Sequence, residues 1–232
     1  MRRRFFAAAK GGNKIYYTSY DGNIIVPSET FYNDEKRVLV LSNTYKDGKG
    51  TIVLGGIINT IYDAFDSTDL VSIELPSSVK LIEGTFSDCQ YLESVILSPR
   101  LETIGDHAFH DCTSLQSVVI PNSVTYIGRE AFSQCESLQS VVIPNGVTSI
   151  EHSTFYFCTS LQSVVIPNSV ISIGELALYS TSLQSVYMES AIPAQIGRTP
   201  FDYNTTIFVP KGSLDAYKNA WGATISNIIK EY

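Results

Sequence analysis

The sequence predicts an α/β, β-rich fold. It is a right-handed solenoid whose short repeats each add one strand to a curved sheet, closed by an N-terminal β cap and a C-terminal cap with a short helix. Three observations lead there. The stretch SLQSVVIPNSV runs from Ser114 to Val124, returns unchanged from Ser160 to Val170, and appears between them from Ser137 to Val147 with Gly146 in place of a serine. Apolar and polar residues alternate within it, as in a strand with one buried face. The four cysteines, Cys89, Cys112, Cys135 and Cys158, lie 23 residues apart throughout.

Aligned on this stretch, units begin at Leu70, Leu92, Leu115, Leu138, Leu161 and Leu183, at intervals of 22 or 23 residues. A period of about 20 to 29 residues opening L-x-x-[VI]-x-[IL] is the leucine-rich-repeat range, in which no unit can bury its apolar face without neighbours. The register extends to Thr51-Ile52-Val53-Leu54 before the first Leu unit and to Thr206-Ile207-Phe208-Val209-Pro210 after the last. In the Leu115 unit, Leu115, Val118 and Ile120 point inward, Pro121-Asn122-Ser123 turns the chain, and Val124 and Ile127 return to the interior. Ala131, Phe132 and Cys135 are spaced to close the coil through one helical turn. Each fully buried Leu, Val, Ile or Phe contributes ~1.5 to 3 kcal/mol, so this ladder holds the unit together.

The pattern L-x-S-V-x-I-P-N-x-V-x-x-I-G-x-x-A-F-x-x-C-x-S, as in Leu115 to Ser137, resembles the BspA-like leucine-rich-repeat family of bacterial surface and secreted proteins. The segments Ile15 to Thr18 with Asn43 to Gly50, and Phe208 to Trp221, resemble its flanks, so the resemblance covers about residues 13 to 230. It implies the solenoid fold, an extracellular or cell-surface location, and adhesion or host interaction. The Phe and Cys of the closing turn become Leu178 and Thr181 in the last full unit, and Ser98 replaces the turn proline in the Leu92 unit. Irregular turns are expected at those places.

The expected organisation is a disordered start over 1–12, an N-terminal β-hairpin cap over 13–50, the solenoid over 51–209 and a C-terminal cap over 210–232. Within the first cap, Ile15 to Tyr20 and Asn23 to Val26 flank Asp21-Gly22, a two-residue hairpin signal. A further strand is expected at Val38 to Leu41, followed by the turn Lys46 to Gly50. At the other end Ser213 is positioned to cap a helix from Leu214 to Trp221, whose Leu214, Tyr217 and Trp221 recur at helical spacing.

A net charge of −7 argues against nucleic-acid or anionic-membrane partners, which are bound through clustered Lys and Arg. Met1-Arg2-Arg3-Arg4 before Phe5 to Ala9 resembles a secretory leader, but the apolar run ends at Lys10. No stretch has the length of a membrane span.

Stacked coils place the four cysteines in a line, which cannot surround a tetrahedral ion, and parallel side chains do not meet as disulfides. They are read as buried free thiols acting as small apolar fillers. Gly105-Asp106-His107-Ala108-Phe109-His110-Asp111 is the most chemically suggestive stretch, yet a metal or acid–base site there needs converging side chains. The register instead sets Asp106 beside Arg129 and His107 beside Glu130 on an outer rim, a solvated charge ladder. No catalytic residue, metal ligand or cofactor is assigned, and the chain is read as a non-enzyme.

The outward strand residues form two columns. One is hydroxyl-bearing, Thr51, Ser72, Ser94, Ser117, Ser140, Ser163, Ser185 and Thr206; the other, Val53, Glu74, Ile96, Val119, Val142, Val165, Tyr187 and Phe208, is apolar except at Glu74. Small hydroxyl residues are explained by sheet curvature. An uncovered apolar stripe marks an interaction surface. The candidate partner-binding residues are therefore Ile96, Val119, Val142, Val165, Tyr187 and Phe208, with Gln116, Gln139 and Gln162 beside them. A protein or glycan partner is expected on this face. The alternatives are self-association through the stripe or a sheet edge and, with less support, hydrolase or metal chemistry at the His107–Asp111 rim.

Overall fold

A computed structural model of the chain describes residues 13–28, 30–179, 182–222, 225 and 228–232. The basic and apolar start and Thr181 lie outside the described residues. From residue 60 onward the chain winds as a β-solenoid, and most coils contribute one residue run to each of three columns.

The front column holds the strands Leu70–Glu74, Ser94–Ile96, Ser163–Ile166, Ser185–Met188 and Thr206–Val209. Pairing is parallel and in the expected register, with Ser72 opposite Ser94, Val165 opposite Tyr187, and Tyr187 opposite Phe208. Between Ile96 and Ser163 the ladder thins to a bridge between Ser117 and Ser140. Alternation still sorts the residues there: Val118, Ile120, Val141 and Ile143 are buried, Val119 and Val142 exposed.

A turn follows each front strand. Val79, Val124, Val147 and Val170 donate their amides to Pro76, Pro121, Pro144 and Pro167 at 3.0–3.1 Å. Ser98 supports the same turn without proline: its carbonyl accepts Leu101 N–H at 3.0 Å and its hydroxyl accepts Arg100 N–H at 3.2 Å. The turn leads into a second column of short parallel strands, Thr60–Tyr62, Leu81–Glu83, Thr103–Ile104, Tyr126–Ile127, Ser149–Ile150, Ser172–Ile173 and Gln195–Ile196.

The third column corrects the expectation of a helical turn. Residues 105–112 and their counterparts form linked turns in which two residues per coil, such as His107 and Asp111 or Glu130 and Gln134, adopt φ of 53–60°. Alternate amides are thereby aimed along the stack rather than within the coil. Phe86, Phe109, Phe132 and Phe155 donate to Ala108, Ala131, Thr154 and Ala177 of the next coil at 2.8–2.9 Å. A helical turn would satisfy these groups locally and leave the coils joined along this column by side chains alone. Close stacking is also why Gly128 is glycine: a Cβ there would lie 2.6 Å from the Asp106 backbone nitrogen.

Phe65, Phe86, Phe109, Phe132 and Phe155 stack through the core with centroids 5.1–5.8 Å apart, all fully buried. The cysteines are buried thiols outside any disulfide, as expected, but they are more than fillers. Cys89, Cys112, Cys135 and Cys158 donate S–H to the carbonyls of Phe65, Phe86, Phe109 and Phe132 one coil earlier, at 2.9–3.1 Å. Burial pushes the Cys89 thiol up to about 11 and the Cys158 thiol up to about 12, and holds Cys112 and Cys135 well above the usual thiol range.

The N-terminal region differs most from the expectation. Lys14–Ser19 does not pair with residues 23–26; it enters the front sheet antiparallel to both Lys49–Leu54 and Leu70–Glu74. Thr51–Leu54 therefore does not stack on the Leu70 strand. Thr51 and Glu74 both face Tyr16, while Ser72 faces Thr18, with hydroxyl oxygens 2.8 Å apart. Alternation of buried Ile15, Tyr17 and Ser19 suits a strand of either direction, so sequence pattern alone could not reveal the insertion. Residues 23–26 are held by side chains instead: Asp21 accepts Asn23 N–H, and the Tyr17 hydroxyl accepts Ile25 N–H while donating to Asn43. The hairpin that does form joins Val40–Lys46 to Lys49–Leu54 through Asp47 and Gly48, at φ 52° and 75°. Gly50 is required beneath Tyr17, whose ring carbon would lie 2.0 Å from a Cβ. The Val38 to Leu41 expectation thus shifts to a longer strand starting at Val40.

The C-terminal helix spans Leu214–Trp221, as expected. Ser213 does not cap it: its hydroxyl donates to the Pro210 carbonyl, and Glu231 Oε1 accepts the amides of Gly212 and Leu214 at 2.9 and 3.3 Å. Tyr217 and Trp221 seal the last coil and satisfy their polar atoms on Ser190 and Ala194 carbonyls at 2.7 and 2.8 Å. A final strand, Ile229–Glu231, extends the front sheet in parallel beyond Thr206–Val209.

Two predictions arise from the stack. Phe109→Ala, which opens a cavity between Phe86 and Phe132, should lower the unfolding free energy by ~3–5 kcal/mol, whereas Val142→Ala on the open face should change it by less than ~0.5 kcal/mol, both read by urea denaturation. The native thiols should resist a disulfide reagent at pH 8 and all four should react once the chain is unfolded. Because their folded pKa values are raised, the stability they contribute is intact below the ordinary thiol value of 9.0 and should decline above it, as the pH approaches 11 to 12.

Candidate functional site

The outward residues of the front column come together as the register requires. Ile96, Val119, Val142 and Val165 are 42, 83, 78 and 48% exposed, and the stripe continues through exposed Tyr187 to half-buried Phe208. Gln116, Gln139 and Gln162 run beside it, all exposed. Their backbones are linked across coils where Gln139 N–H donates to the Gln116 carbonyl at 3.1 Å. Toward residue 72 the stripe ends differently from the expectation: Glu74 is buried and faces Tyr16 of the inserted strand, and Val53 lies opposite Lys14.

A shallow groove of about 1240 Å³ lies along the glutamine side of the later coils, lined by Gln139, Gln162, Gln184, Ser163, Ser185 and Thr206, with Phe208 at its end. Its lining carries amides and hydroxyls and no ionisable side chain. Such a surface has donors and acceptors in every coil and no fixed charge to select a counter-charge.

The aromatic end is larger than the sequence reading allowed. Tyr187 and Phe208 stack at 4.8 Å with an 11° interplanar angle, and Tyr232 approaches Tyr187 edge-on at 6.2 Å. The Tyr232 hydroxyl donates to the Met188 carbonyl at 3.3 Å. Tyr232 was missed because the strand that brings it lies outside the repeat. At the opposite end Tyr20 stacks on Tyr91 at 4.1 Å, both rings exposed. The alternation of Ile15 to Tyr20 was the available signal, but it gave no pairing partner for Tyr20.

The His107–Asp111 rim is more convergent than a ladder of like positions. His110 Nδ1 lies 3.4 Å from Asp111 Oδ2 and its Nε2 3.5 Å from Glu130 Oε2, while His107 Nε2 lies 3.6 Å from Glu130 Oε2. The expected Asp106 and Arg129 contact is made by the backbone: Arg129 N–H donates to Asp106 Oδ1 at 2.8 Å. Among the described residues, no helix is long and apolar enough to cross a membrane.

A comparison with curated proteins finds no match. Among solved structures, a leucine-rich repeat protein of T. pallidum is 32% identical, with a TM-score of 0.56 over 62% of this chain and 68% of that one. A leucine-rich repeat protein from Bacteroides ovatus is 21% identical with a TM-score of 0.43, over 92% of this chain and 77% of that one. A leucine-rich cell surface protein from Faecalibacterium prausnitzii is 21% identical with a TM-score of 0.30, over 68% and 59%. The family description "BspA type Leucine rich repeat region" matches in six copies over residues 57–133 and 82–207. With repeat, stacked phenylalanines and family match in agreement over most of its length, the chain belongs to the BspA-type leucine-rich repeat family.

Proposed function

We propose that the chain is a non-catalytic binding module, secreted or displayed at a bacterial surface, which presents its front sheet face to a protein or glycan partner in adhesion or host contact. The observation that carries this reading is the apolar stripe, with Val119 and Val142 about four-fifths exposed on a face that the chain's own first strands extend at its edge. Isolated exposed apolar residues are ordinary on protein surfaces; a row of them at one position per coil is an interaction patch. The surface or secreted location rests on the character of the family. Affinity would come from many weak contacts repeated along a rigid array, anchored where the aromatic rings gather.

Self-association, through the same stripe or through an edge of the front sheet, is the second reading, favoured by the stripe. The terminal strands Val40–Lys46 and Ile229–Glu231 carry Lys46, Lys230 and Glu231, charges that oppose edge-to-edge pairing. A monomer at every concentration in a light-scattering series is therefore expected; a mass that rises with concentration would support the second reading.

Pull-down against host-surface and bacterial-envelope extracts would supply a partner, and variants would place the site. Tyr187→Asp with Phe208→Asp should weaken capture at least about thirtyfold, the effect of losing roughly 2 kcal/mol at a hot spot. Val119→Asp with Val142→Asp, at positions that carry no core packing, should weaken it in the same direction. Full capture by both folded variants would remove the front face from consideration.

A further inference from the structure

We propose that Asp88, His110 and Asp111 form a surface site for a divalent cation of the zinc class. One donor atom from each lies within 4.8 Å of the others, and the three come from two adjacent coils. Donors bound tetrahedrally to one zinc ion at about 2.0–2.2 Å lie ~3.3–3.6 Å apart, so side-chain rotations that close the set by roughly 1 Å bring these three into a first shell. One imidazole nitrogen with two carboxylate oxygens is a mixed set that suits a borderline ion, whereas calcium takes about six to eight oxygens.

A carboxylate oxygen lies near each ring nitrogen of the imidazole. Its Nδ1 faces Asp111, and Nε2 lies 3.5 Å from Glu130 Oε2. A carboxylate on the far nitrogen fixes the tautomer and orientation of a metal-binding histidine. Glu130 is thus a positioning residue, itself approached by His107 at 3.6 Å. Gln134 Nε2 steadies Asp111 by donating to its Oδ2 at 3.1 Å, and the Ser87 hydroxyl donates to Asp88 Oδ2 at 3.1 Å.

Charge balance points the same way. Among the described residues, Asp88, Asp111 and Glu130 make no ion pair with lysine or arginine, and the imidazoles beside Asp111 and Glu130 are those of His107 and His110. Three carboxylates within two coil spacings repel one another, and a dication relieves that repulsion.

The repeat supplies an independent observation. In the column of Asp88 and Asp111 the other coils carry Ser67, Gln134, Phe157 and Ser180; in the column of His110 they carry Asp66, Ser87, Ser133, Tyr156 and Tyr179. Packing sets these turn positions no requirement for a metal-binding residue; Asp66 adds a carboxylate one coil earlier, and His110 is the one histidine of the two columns, beside Asp111 and one coil from Asp88 and Glu130. The site lies on the turn column, away from the front sheet face, and does not depend on that face binding a partner. A bound ion would join two coils at their rim.

Isothermal titration of Zn²⁺ into the full chain, free of any histidine tag and of chelating buffer, tests the proposal. One saturable zinc per chain is expected, with a matching rise in melting temperature. His110→Ala should abolish saturable binding. Glu130→Gln should retain one site but weaken it about tenfold, the usual effect of removing an orienting carboxylate. No saturable zinc binding by the wild-type chain would overturn the proposal. So would zinc binding unchanged in a folded His110→Ala variant, which would mark the ion as adventitious. Equal binding of Ca²⁺ would overturn the assignment to the zinc class.

Discussion

Each coil hands backbone hydrogen bonds to the next, and the rest of the molecule is organised by that exchange. Along the turn column the amide of Phe109 meets the carbonyl of Ala131, and that of Phe132 meets Thr154, so Phe109, Phe132 and Phe155, 23 residues apart, are held over one another. Once this offset is fixed, identical letters must fall over one another. The phenylalanine rings then stack at 5.1–5.8 Å, and each cysteine lies under the carbonyl of the preceding coil's phenylalanine. The front strands need less help from their own ladder, which accounts for a middle region where pairing thins to one bridge while inward and outward faces stay sorted.

What was legible in the sequence was whatever repeats. The period located the front strands, the inward ladder and the column of candidate residues from Ile96 to Phe208, because packing writes the same requirement into every unit. The turn column was legible in position and not in conformation: Ala131, Phe132 and Cys135 have helical spacing, but the left-handed backbone at Glu130 and Gln134 carries no glycine to announce it. The N-terminal insertion was hidden for another reason. Ile15, Tyr17 and Ser19 alternate correctly for the strand slot, and alternation has no direction. Single events outside the repeat, such as Tyr232 joining the aromatic end or Glu231 taking the helix amides from Ser213, leave no periodic trace.

The two surfaces of interest differ in how they arise. The front face is uniform because the units are nearly identical, so it offers length, hydroxyls, amides and a narrow apolar line rather than a shaped cavity. Its distinctive chemistry is at the ends, where Tyr187, Phe208 and Tyr232 gather on one side and Tyr20 and Tyr91 on the other. The rim at His110 is the opposite case, a departure confined to two or three coils on a backbone that holds the same course above and below it. A fold whose packing letters are separate from its surface letters allows both without conflict.

The copies that match almost letter for letter sit between the lids, far from both. Duplicating or deleting one such 23-residue copy would lengthen or shorten the molecule by about one strand spacing, ~4.8 Å, and leave the inserted first strand and the sealing helix untouched. The body therefore behaves as an adjustable ruler, in which reach is an inherited quantity that can change in whole steps while the end fittings stay the same.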